Sequence, residues 1–210
     1  MKNVLCNIYK KSYSALGPQH WWPANGPFEV MVGAILTQNT NWSNVEKAID
    51  NLKTAQALTA VAINTMTVSR LAGLIRPAGY YNVKTKRLKS FVDFYIKKYG
   101  GRVGNLKKCK TPVLREELLN VHGIGPETAD SILLYALEKP VFVIDAYTKR
   151  ILSRHGIMDD SETYDSFQAL FQNVLPLNVE LFNEYHALFV RIGKEFCKPT
   201  PSCSGCPLSE

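Results

Sequence analysis

A short glycine-rich turn between two helical patterns restricts the fold more than any other segment. Residues 119–122 end one apolar pattern, Gly123-Ile124-Gly125 follows, and Pro126 opens the next pattern. Glycine tolerates positive φ and allows close backbone approach, while proline suits the first turn of a helix. We expect Ile124 to anchor the turn in the core. The segment therefore predicts two consecutive helices joined by a tight turn.

Helical periodicity also dominates the rest of the chain, and strand-like alternation is scarce. Apolar residues recur at helical spacing in three early segments: Phe28, Val32, Ile35 and Leu36; Val45, Ile49 and Leu52; and Leu71, Leu74 and Ile75. Turn signals built from glycine and proline separate these runs. We therefore predict an all-α fold with helices of about 10 to 15 residues joined by short loops.

The composition excludes several classes of protein. Of the 210 residues, 46% are apolar and 20% are charged, which is typical of a globular domain and excludes disorder and collagen-like repetition. No window approaches the run of about 18 apolar residues that a membrane span needs. Lys10-Lys11 also precede any signal-like apolar stretch. We therefore expect a cytoplasmic protein with no membrane partner.

The charge balance favours polyanionic partners. Lys and Arg total 25 against 18 Asp and Glu, a formal net charge of +7. Basic residues concentrate at positions 84–89, 97–98 and 107–110. Solvated helix faces are the simpler interpretation of each single cluster. The charge alone is therefore weak support for a nucleic-acid partner.

Several ordered segments together resemble a known family. Residues 121–129 read Val-x-Gly-Ile-Gly-x-x-Thr-Ala, and residues 141–150 read Val-Phe-Val-Ile-Asp-Ala-Tyr-Thr-Lys-Arg. Residues 35–40 read Ile-Leu-Thr-Gln-Asn-Thr, and three cysteines crowd the last 14 residues. This order is similar to that of the endonuclease III, or helix-hairpin-helix-GPD, superfamily of DNA glycosylases. The resemblance extends over nearly the whole chain.

The resemblance implies a two-lobed helix-hairpin-helix glycosylase fold. A central lobe of residues 23–138 would contain the hairpin, and residues 1–22 plus 139–210 would form the second lobe. Double-stranded DNA with a damaged base would bind in the cleft between the lobes of a monomer. Such binding should be salt-sensitive, because phosphate contacts release counterions.

Asp145 has two compatible interpretations. It follows the apolar run 141–144 and precedes a helical stretch, so it suits an N-cap, worth about 1 kcal/mol. The resemblance implies that it is also the catalytic carboxylate. A glycosylase flips the target nucleotide out of the stack and breaks the sugar–base bond while positive charge develops on the sugar. A carboxylate can stabilise that charge and orient or deprotonate the attacking water.

Glu127 is the second candidate catalytic residue, and it departs from the family pattern. Superfamily members that also cut the DNA backbone carry a lysine at this hairpin position, where its amine forms a Schiff base with the sugar. A carboxylate cannot do so. The sequence therefore resembles a monofunctional glycosylase that uses water. The simpler alternative for this side chain is a solvent-facing acid favoured by the helix dipole.

A second set of residues resembles the 3-methyladenine glycosylase branch of the superfamily. The matching segments are Trp21-Trp22-Pro23, residues 36–40 with Trp42, Gly125-x-Glu127 and Gly193-Lys194. In that branch the matching aromatic positions line the base pocket, and indole faces attract purines that methylation has made cationic. Packing is the alternative for the tryptophans. Lys194 is interpreted as a pocket neighbour or a phosphate contact.

The resemblance also implies DNA contacts at two turns. Gln38 matches a position whose side chain fills the gap left by the extruded base, although it could be an ordinary polar loop residue. The hairpin residues Gly123, Ile124, Gly125 and Thr128 are the expected DNA-binding set. Backbone N–H groups at a helix start can bind a phosphate without reading sequence.

The cysteines predict a metal centre near the C-terminal end. The pattern Cys197-x5-Cys203-x2-Cys206 resembles the family's iron–sulfur loop, but its first spacing is one residue short. A [4Fe–4S] cluster normally takes four thiolates, and the usual fourth position would fall just past Glu210. A truncated chain, a distant ligand such as Cys6, or loss of the cluster would each account for this. Zinc is the competing metal.

Two rival functions stay open at this point. An endonuclease III-like glycosylase and lyase for oxidised pyrimidines or mismatched bases would need an amine, and Glu127 argues against it. A non-catalytic helix-hairpin-helix module that only holds DNA would need neither Asp145 nor the tryptophans. The sequence therefore favours a monofunctional glycosylase of base excision repair acting on alkylated purines.

Overall fold

The computed structural model describes residues 1–209, which form helices and loops without any strand. The twelve α-helices in this range are α1 Lys2–Leu16, α2 Pro27–Leu36, α3 Trp42–Thr54, α4 Ala60–Thr65, α5 Val68–Leu74, α6 Tyr81–Tyr99, α7 Val103–Lys108, α8 Thr111–Leu119, α9 Pro126–Ser131, α10 Ala146–Arg154, α11 Tyr164–Gln172 and α12 Val179–Glu195. A 3₁₀ turn at Arg76–Ala78 follows α5, and a π-helical turn at Ile132–Ala136 continues α9. None of these helices is long and apolar enough to cross a membrane.

The prediction of an all-α fold is confirmed, but the predicted helix lengths are partly wrong. Helices α4, α5, α7 and α9 have only six or seven residues, whereas α6 has 19. Two of the short helices begin at threonine caps. The Thr59 side chain accepts a hydrogen bond from the N–H of Ala62, and that of Thr67 accepts one from Arg70. Each cap fixes the residue at which a short helix begins.

The chain divides into two compact units, one of which is Ala24–Lys139. Its central element is α2, whose residues 30–36 are all buried. Helices α3, α6 and α9 contact α2. The ring of Phe28 stacks on Tyr95 at 5.9 Å, which joins the start of α2 to α6. The apolar α2 therefore holds the loop that follows it, residues 37–41, in a fixed position.

The other unit combines Met1–Pro23 with the chain from Pro140 onward. Its core is aromatic: the rings of Phe142 and Phe171 stack 3.8 Å apart, and Tyr185 meets both edge-on. The Tyr185 hydroxyl donates to the Leu5 carbonyl at 2.9 Å, which ties α12 to α1. Residues 141–144 are buried in this core without regular secondary structure, so Asp145 lies where the buried segment meets α10.

Candidate functional site

The predicted hairpin is present between α8 and α9. Gly123 has a φ of +83°, Ile124 is buried, and Pro126 is the first residue of α9. The guanidinium of Arg115 donates to both carboxylate oxygens of Asp130 at 2.8 and 3.1 Å, with Asp130 fully buried. This two-point contact is geometrically specific, so it holds the two helices of the hairpin in register.

Gly123 is required by a close contact as well as by its backbone angle. A Cβ atom at this position would lie 2.1 Å from Cγ of Arg87 on α6. No side chain fits at that distance. The turn of the hairpin therefore packs directly on the aliphatic stem of Arg87.

Gln38 lies on this hairpin. Its Nε2 donates to the Gly123 carbonyl at 3.0 Å and to Thr128 Oγ1 at 2.9 Å, and Arg87 Nη1 donates to its Oε1. The side chain of Gln38 is half-buried, whereas the next residue, Asn39, is exposed and has a φ of +51°. Both ends of the Gln38 amide are thus hydrogen-bonded within Ala24–Lys139.

Lys84 shows that the basic segment 84–89 is not simply a solvated face. It is buried, and its ammonium donates to the carbonyls of Leu36 at 2.8 Å and Ala78 at 2.7 Å. Burial, with a smaller contribution from the charge of Arg87, lowers the pKa of Lys84 to about 8. Lys84 therefore binds the last carbonyl of α2 from α6.

Glu127 is exposed in the first turn of α9. An acid at this position interacts favourably with the positive end of the helix dipole. Trp42, another predicted site residue of this unit, begins α3, and its indole N–H donates to Glu46 Oε1 at 2.8 Å.

In the other unit, Asp145 is the N-cap of α10. Its Oδ1 accepts a hydrogen bond from the Thr148 N–H at 2.7 Å. Its Oδ2 lies 3.5 Å from Nε2 of His186 on α12. Only 11% of the Asp145 side chain and 7% of the His186 side chain are exposed. The two oxygens of this carboxylate therefore have different surroundings.

These contacts keep Asp145 ionised. Burial alone would raise the pKa of the carboxyl, but the imidazole of His186 and the hydrogen bonds from Thr148 outweigh it, so the pKa is lowered. An ionised carboxylate in a mostly buried site can stabilise a neighbouring positive charge or hold a water molecule. His186 was not predicted from the sequence. Its signal there is that a polar side chain stands among the apolar residues of α12.

The packing of α10 on α12 positions this pair. A Cβ atom at Gly193 would lie 2.3 Å from the ring of Tyr147, so only glycine allows the two helices to approach this closely. Arg150 donates to the carbonyls of Gly193 at 3.2 Å and Cys197 at 2.7 Å. The first turn of α10, which Asp145 caps, is thereby fixed on the end of α12.

Trp21 and Trp22 are half-buried, and their rings meet edge-on with centroids 5.4 Å apart. Pro23 is exposed. The ammonium of Lys194 lies 6.0 Å from the centroid of the Trp21 ring, within reach of a cation–π interaction. The structure therefore brings together Trp21, Trp22 and Lys194, all predicted from the sequence.

The structure does not form the predicted metal site. No group of three or more His, Cys, Asp or Glu side chains in residues 1–209 could hold a metal ion. Cys197 is buried, with Arg154 Nη1 donating to its sulfur at 3.3 Å, whereas Cys203 is exposed and Cys206 is half-buried. Arg154 also donates to the carbonyls of Lys198 and Pro199. The loop is thus held to α10 by hydrogen bonds, and the three sulfurs do not meet.

Comparison with known proteins gives consistent results. Residues 32–177 match the family described as HhH-GPD superfamily base excision DNA repair protein. A protein of Methanocaldococcus jannaschii, named as a candidate DNA repair glycosylase, is 48% identical over 99% of this chain and 94% of its own length. Endonuclease III of Thermotoga maritima is 31% identical over 86% of this chain and 79% of its own length.

Solved structures extend the similarity to three dimensions. The crystal structure of Helicobacter pylori 3-methyladenine DNA glycosylase bound to 1,N6-ethenoadenine matches with a TM-score of 0.77 and 32% identity, covering 92% of this chain and 97% of that one. A trapped endonuclease III–DNA covalent intermediate matches with a TM-score of 0.84, covering 99% and 93%. The latter is 21% identical and therefore shows a shared fold alone.

Proposed function

Because the chain belongs to the HhH-GPD superfamily of base excision DNA repair proteins, it is a DNA glycosylase, and we propose that it is a monofunctional one acting on alkylated purines. The observation that carries this proposal is Glu127, which stands in the hairpin where the resembling lyases have their lysine. A carboxylate cannot form a Schiff base with the sugar. Water is then the nucleophile, and an abasic site is the product.

Asp145 is the proposed catalytic carboxylate. Its Oδ1 is engaged by the Thr148 N–H, and the imidazole of His186 faces Oδ2. The lowered pKa keeps the group charged, which suits the stabilisation of positive charge on the sugar as the bond breaks. The same carboxylate can orient the attacking water. The N-cap contact fixes its position at the start of α10.

The aromatic residues support the assignment of the substrate class. Trp21 and Trp22 offer two indole surfaces in contact with each other, as expected of residues that stack on an extruded purine. The H. pylori glycosylase, 32% identical, binds the alkylated purine 1,N6-ethenoadenine. We propose that Trp21, Trp22, Pro23, Trp42 and Lys194 contact the flipped base, with Gln38 filling the gap that it leaves. The hairpin residues Gly123, Ile124, Gly125 and Thr128 would contact a DNA phosphate.

The experiment is to incubate the purified protein with methylated duplex DNA, chromatograph the released bases, and run the strands with and without alkali. Release of 3-methyladenine with strand breaks only after alkali supports the proposal. Strand breaks without alkali would contradict the argument from Glu127. Absence of released alkylpurine would contradict the assigned substrate class.

An endonuclease III-like activity on oxidised pyrimidines or mismatched bases is the second candidate, because an endonuclease III is 31% identical to the chain. This activity requires an amine in contact with the sugar. Borohydride treatment of the enzyme with DNA that contains thymine glycol would then trap a covalent adduct. We expect no adduct.

The [4Fe–4S] cluster suggested by Cys197, Cys203 and Cys206 stays a prediction from their spacing. No step of the proposed reaction depends on it. Iron, sulfide and zinc analysis of the purified protein distinguishes the three cases of cluster, zinc and no metal.

A further inference from the structure

We propose that Arg87 is a positioning residue for Gln38. It fixes the orientation of the Gln38 amide on the hairpin, so that this side chain is ordered before DNA arrives. The inference rests on the proposed function, in which Gln38 fills the gap left by the extruded base. Arg87 itself need not touch the substrate.

The hydrogen bonds of the amide carry the argument. A guanidinium has N–H donors and no acceptor, so it can bind only the oxygen end of the amide. With Arg87 Nη1 on Oε1, the Nε2 end must face the hairpin, where the Gly123 carbonyl and Thr128 Oγ1 accept from it. Without Arg87, a flipped amide would direct its oxygen at the Gly123 carbonyl. Arg87 and the Gly123 carbonyl therefore favour the same one of the two amide orientations, and Arg87 is the donor that holds its oxygen end.

Arg87 is itself held in place. Its stem lies against the hairpin where Gly123 has no Cβ, within 2.1 Å of the position that a Cβ would occupy. Lys84, three residues earlier on α6, binds the Leu36 carbonyl at the end of α2. Residues three apart lie on the same helix face. One face of α6 thus holds both the start of the 37–41 loop and the side chain that this loop presents.

Holding Gln38 in advance should lower the conformational entropy that its side chain loses when DNA binds. A glutamine side chain that is free in solution loses rotamer freedom when DNA binding orders it. A side chain already held by Arg87, Gly123 and Thr128 loses less. The resulting gain in affinity should appear only with DNA that contains a gap, because Gln38 has no gap to enter in an intact duplex.

A double-mutant cycle tests this inference. The variants are R87M, Q38A and R87M/Q38A, and the ligands are an undamaged duplex and the same duplex with a tetrahydrofuran abasic analogue. R87M keeps an apolar stem beside Gly123 but removes the donors. We expect it to weaken binding of the abasic duplex by about tenfold, the size expected for a lost charge-assisted hydrogen bond. Binding of the undamaged duplex should fall only slightly, as expected for the loss of one positive charge, and in the Q38A background R87M should add no loss specific to the abasic duplex.

The matched control is K86M, which removes one positive charge from an exposed position of the same helix. It should lower affinity for both duplexes equally and slightly. If R87M behaves in the same way, with a smaller salt dependence, Arg87 is a phosphate contact and the inference is wrong. A loss specific to the abasic duplex that persists in the Q38A background also contradicts it.

Two further comparisons distinguish a failure of this inference from a simple charge effect and from a failure of the proposed function. R87K keeps the stem and the charge, so it should bind undamaged DNA like wild type and lie between wild type and R87M on abasic DNA. If R87K binds both duplexes as tightly as wild type while R87M binds abasic DNA much more weakly, Arg87 acts through its positive charge alone and the positioning role is wrong. If Q38A binds the abasic duplex as tightly as wild type does, the gap-filling role in the proposed function is wrong. If Q38A weakens binding while R87M does not, only the positioning role fails.

Discussion

His186 Nε2 lies 3.5 Å from Asp145 Oδ2, and each side chain is about nine-tenths buried. Burial by itself disfavours a charged carboxylate, so a nearby imidazole has a strong influence on this group. His186 belongs to α12 and Asp145 caps α10, so the pair exists because Gly193 and Tyr147 allow these helices to pack closely.

Replacing His186 should move the acid limb of the pH profile. In H186L the buried carboxylate loses the imidazole that helps the Thr148 hydrogen bonds to lower its pKa, so the pKa of Asp145 should rise. In wild type, the charged form of Asp145 persists below its ordinary pKa of 3.8. We expect kcat/KM of H186L to fall at acidic pH and to recover in part towards pH 8. Base release measured across pH provides the profile.

His155, exposed at the end of α10, provides the control. H155L removes a histidine from the same unit without touching Asp145, and its profile should follow wild type. An H186L profile parallel to wild type at every pH would show that His186 acts through packing alone.

Lys194 should influence which bases are accepted. Its ammonium lies over the ring of Trp21, where a cationic base such as 7-methylguanine would also be attracted. In K194M no ammonium competes with the cationic base for the Trp21 ring. The ratio of kcat/KM for 7-methylguanine to that for neutral 1,N6-ethenoadenine should rise several-fold, as expected for about 1 kcal/mol of cation–π interaction. K198M, at an exposed position, is the control. An equal loss on both bases would instead indicate a phosphate contact.

Lys84 should make stability depend on alkaline pH. Its pKa is about 8 in the folded protein against an ordinary 10.5, so the unfolded chain binds more protons between these values. Stability attributable to this group therefore rises with pH across that window. The neutral amine still has two N–H groups for the Leu36 and Ala78 carbonyls. In urea unfolding, wild type should gain stability relative to K84M from pH 8 to pH 10.5. If the difference in free energy of unfolding between wild type and K84M stays constant from pH 8 to pH 10.5, the pKa of Lys84 is not lowered by folding.

Arg154 should determine the order of the cysteine-containing loop. It donates to Cys197 Sγ and to the carbonyls of Lys198 and Pro199. R154M removes all three contacts, so amide hydrogen exchange should accelerate in residues 197–202 while α2 and α6 stay protected. Unchanged exchange in the loop would show that other interactions hold it.

Local features were predictable from the sequence. The turn signals place the hairpin, the periodicity places α2 and α3, and the apolar run before Asp145 places an N-cap. Each depends on neighbouring residues along the chain. The short helices that begin at the caps Thr59 and Thr67 were not predicted, because six or seven residues are too few to show a clear helical period.

Contacts between distant segments were not predictable. Segment 84–89 is typical of a solvated face, yet Lys84 is buried because α6 lies against the end of α2. The role of Arg87 depends on the hairpin, and that of His186 depends on the packing of α10 on α12. The cysteine spacing gave no sign of the hydrogen bond that Arg154 donates to Cys197 Sγ, and the metal site stays a prediction.

The Asp145 carboxylate, beyond its role as a cap, should be the group on which base release depends. D145N tests it most directly, because an asparagine amide oxygen can still accept from the Thr148 N–H and keep the cap. D145A, which loses the cap as well, controls for a loss of stability of about 1 kcal/mol. The measurement is the single-turnover rate of 3-methyladenine release, with the melting temperature and the affinity for abasic DNA. We predict a rate at least about 100-fold lower for D145N, with stability and binding near wild type. A D145N rate close to that of wild type would contradict the account.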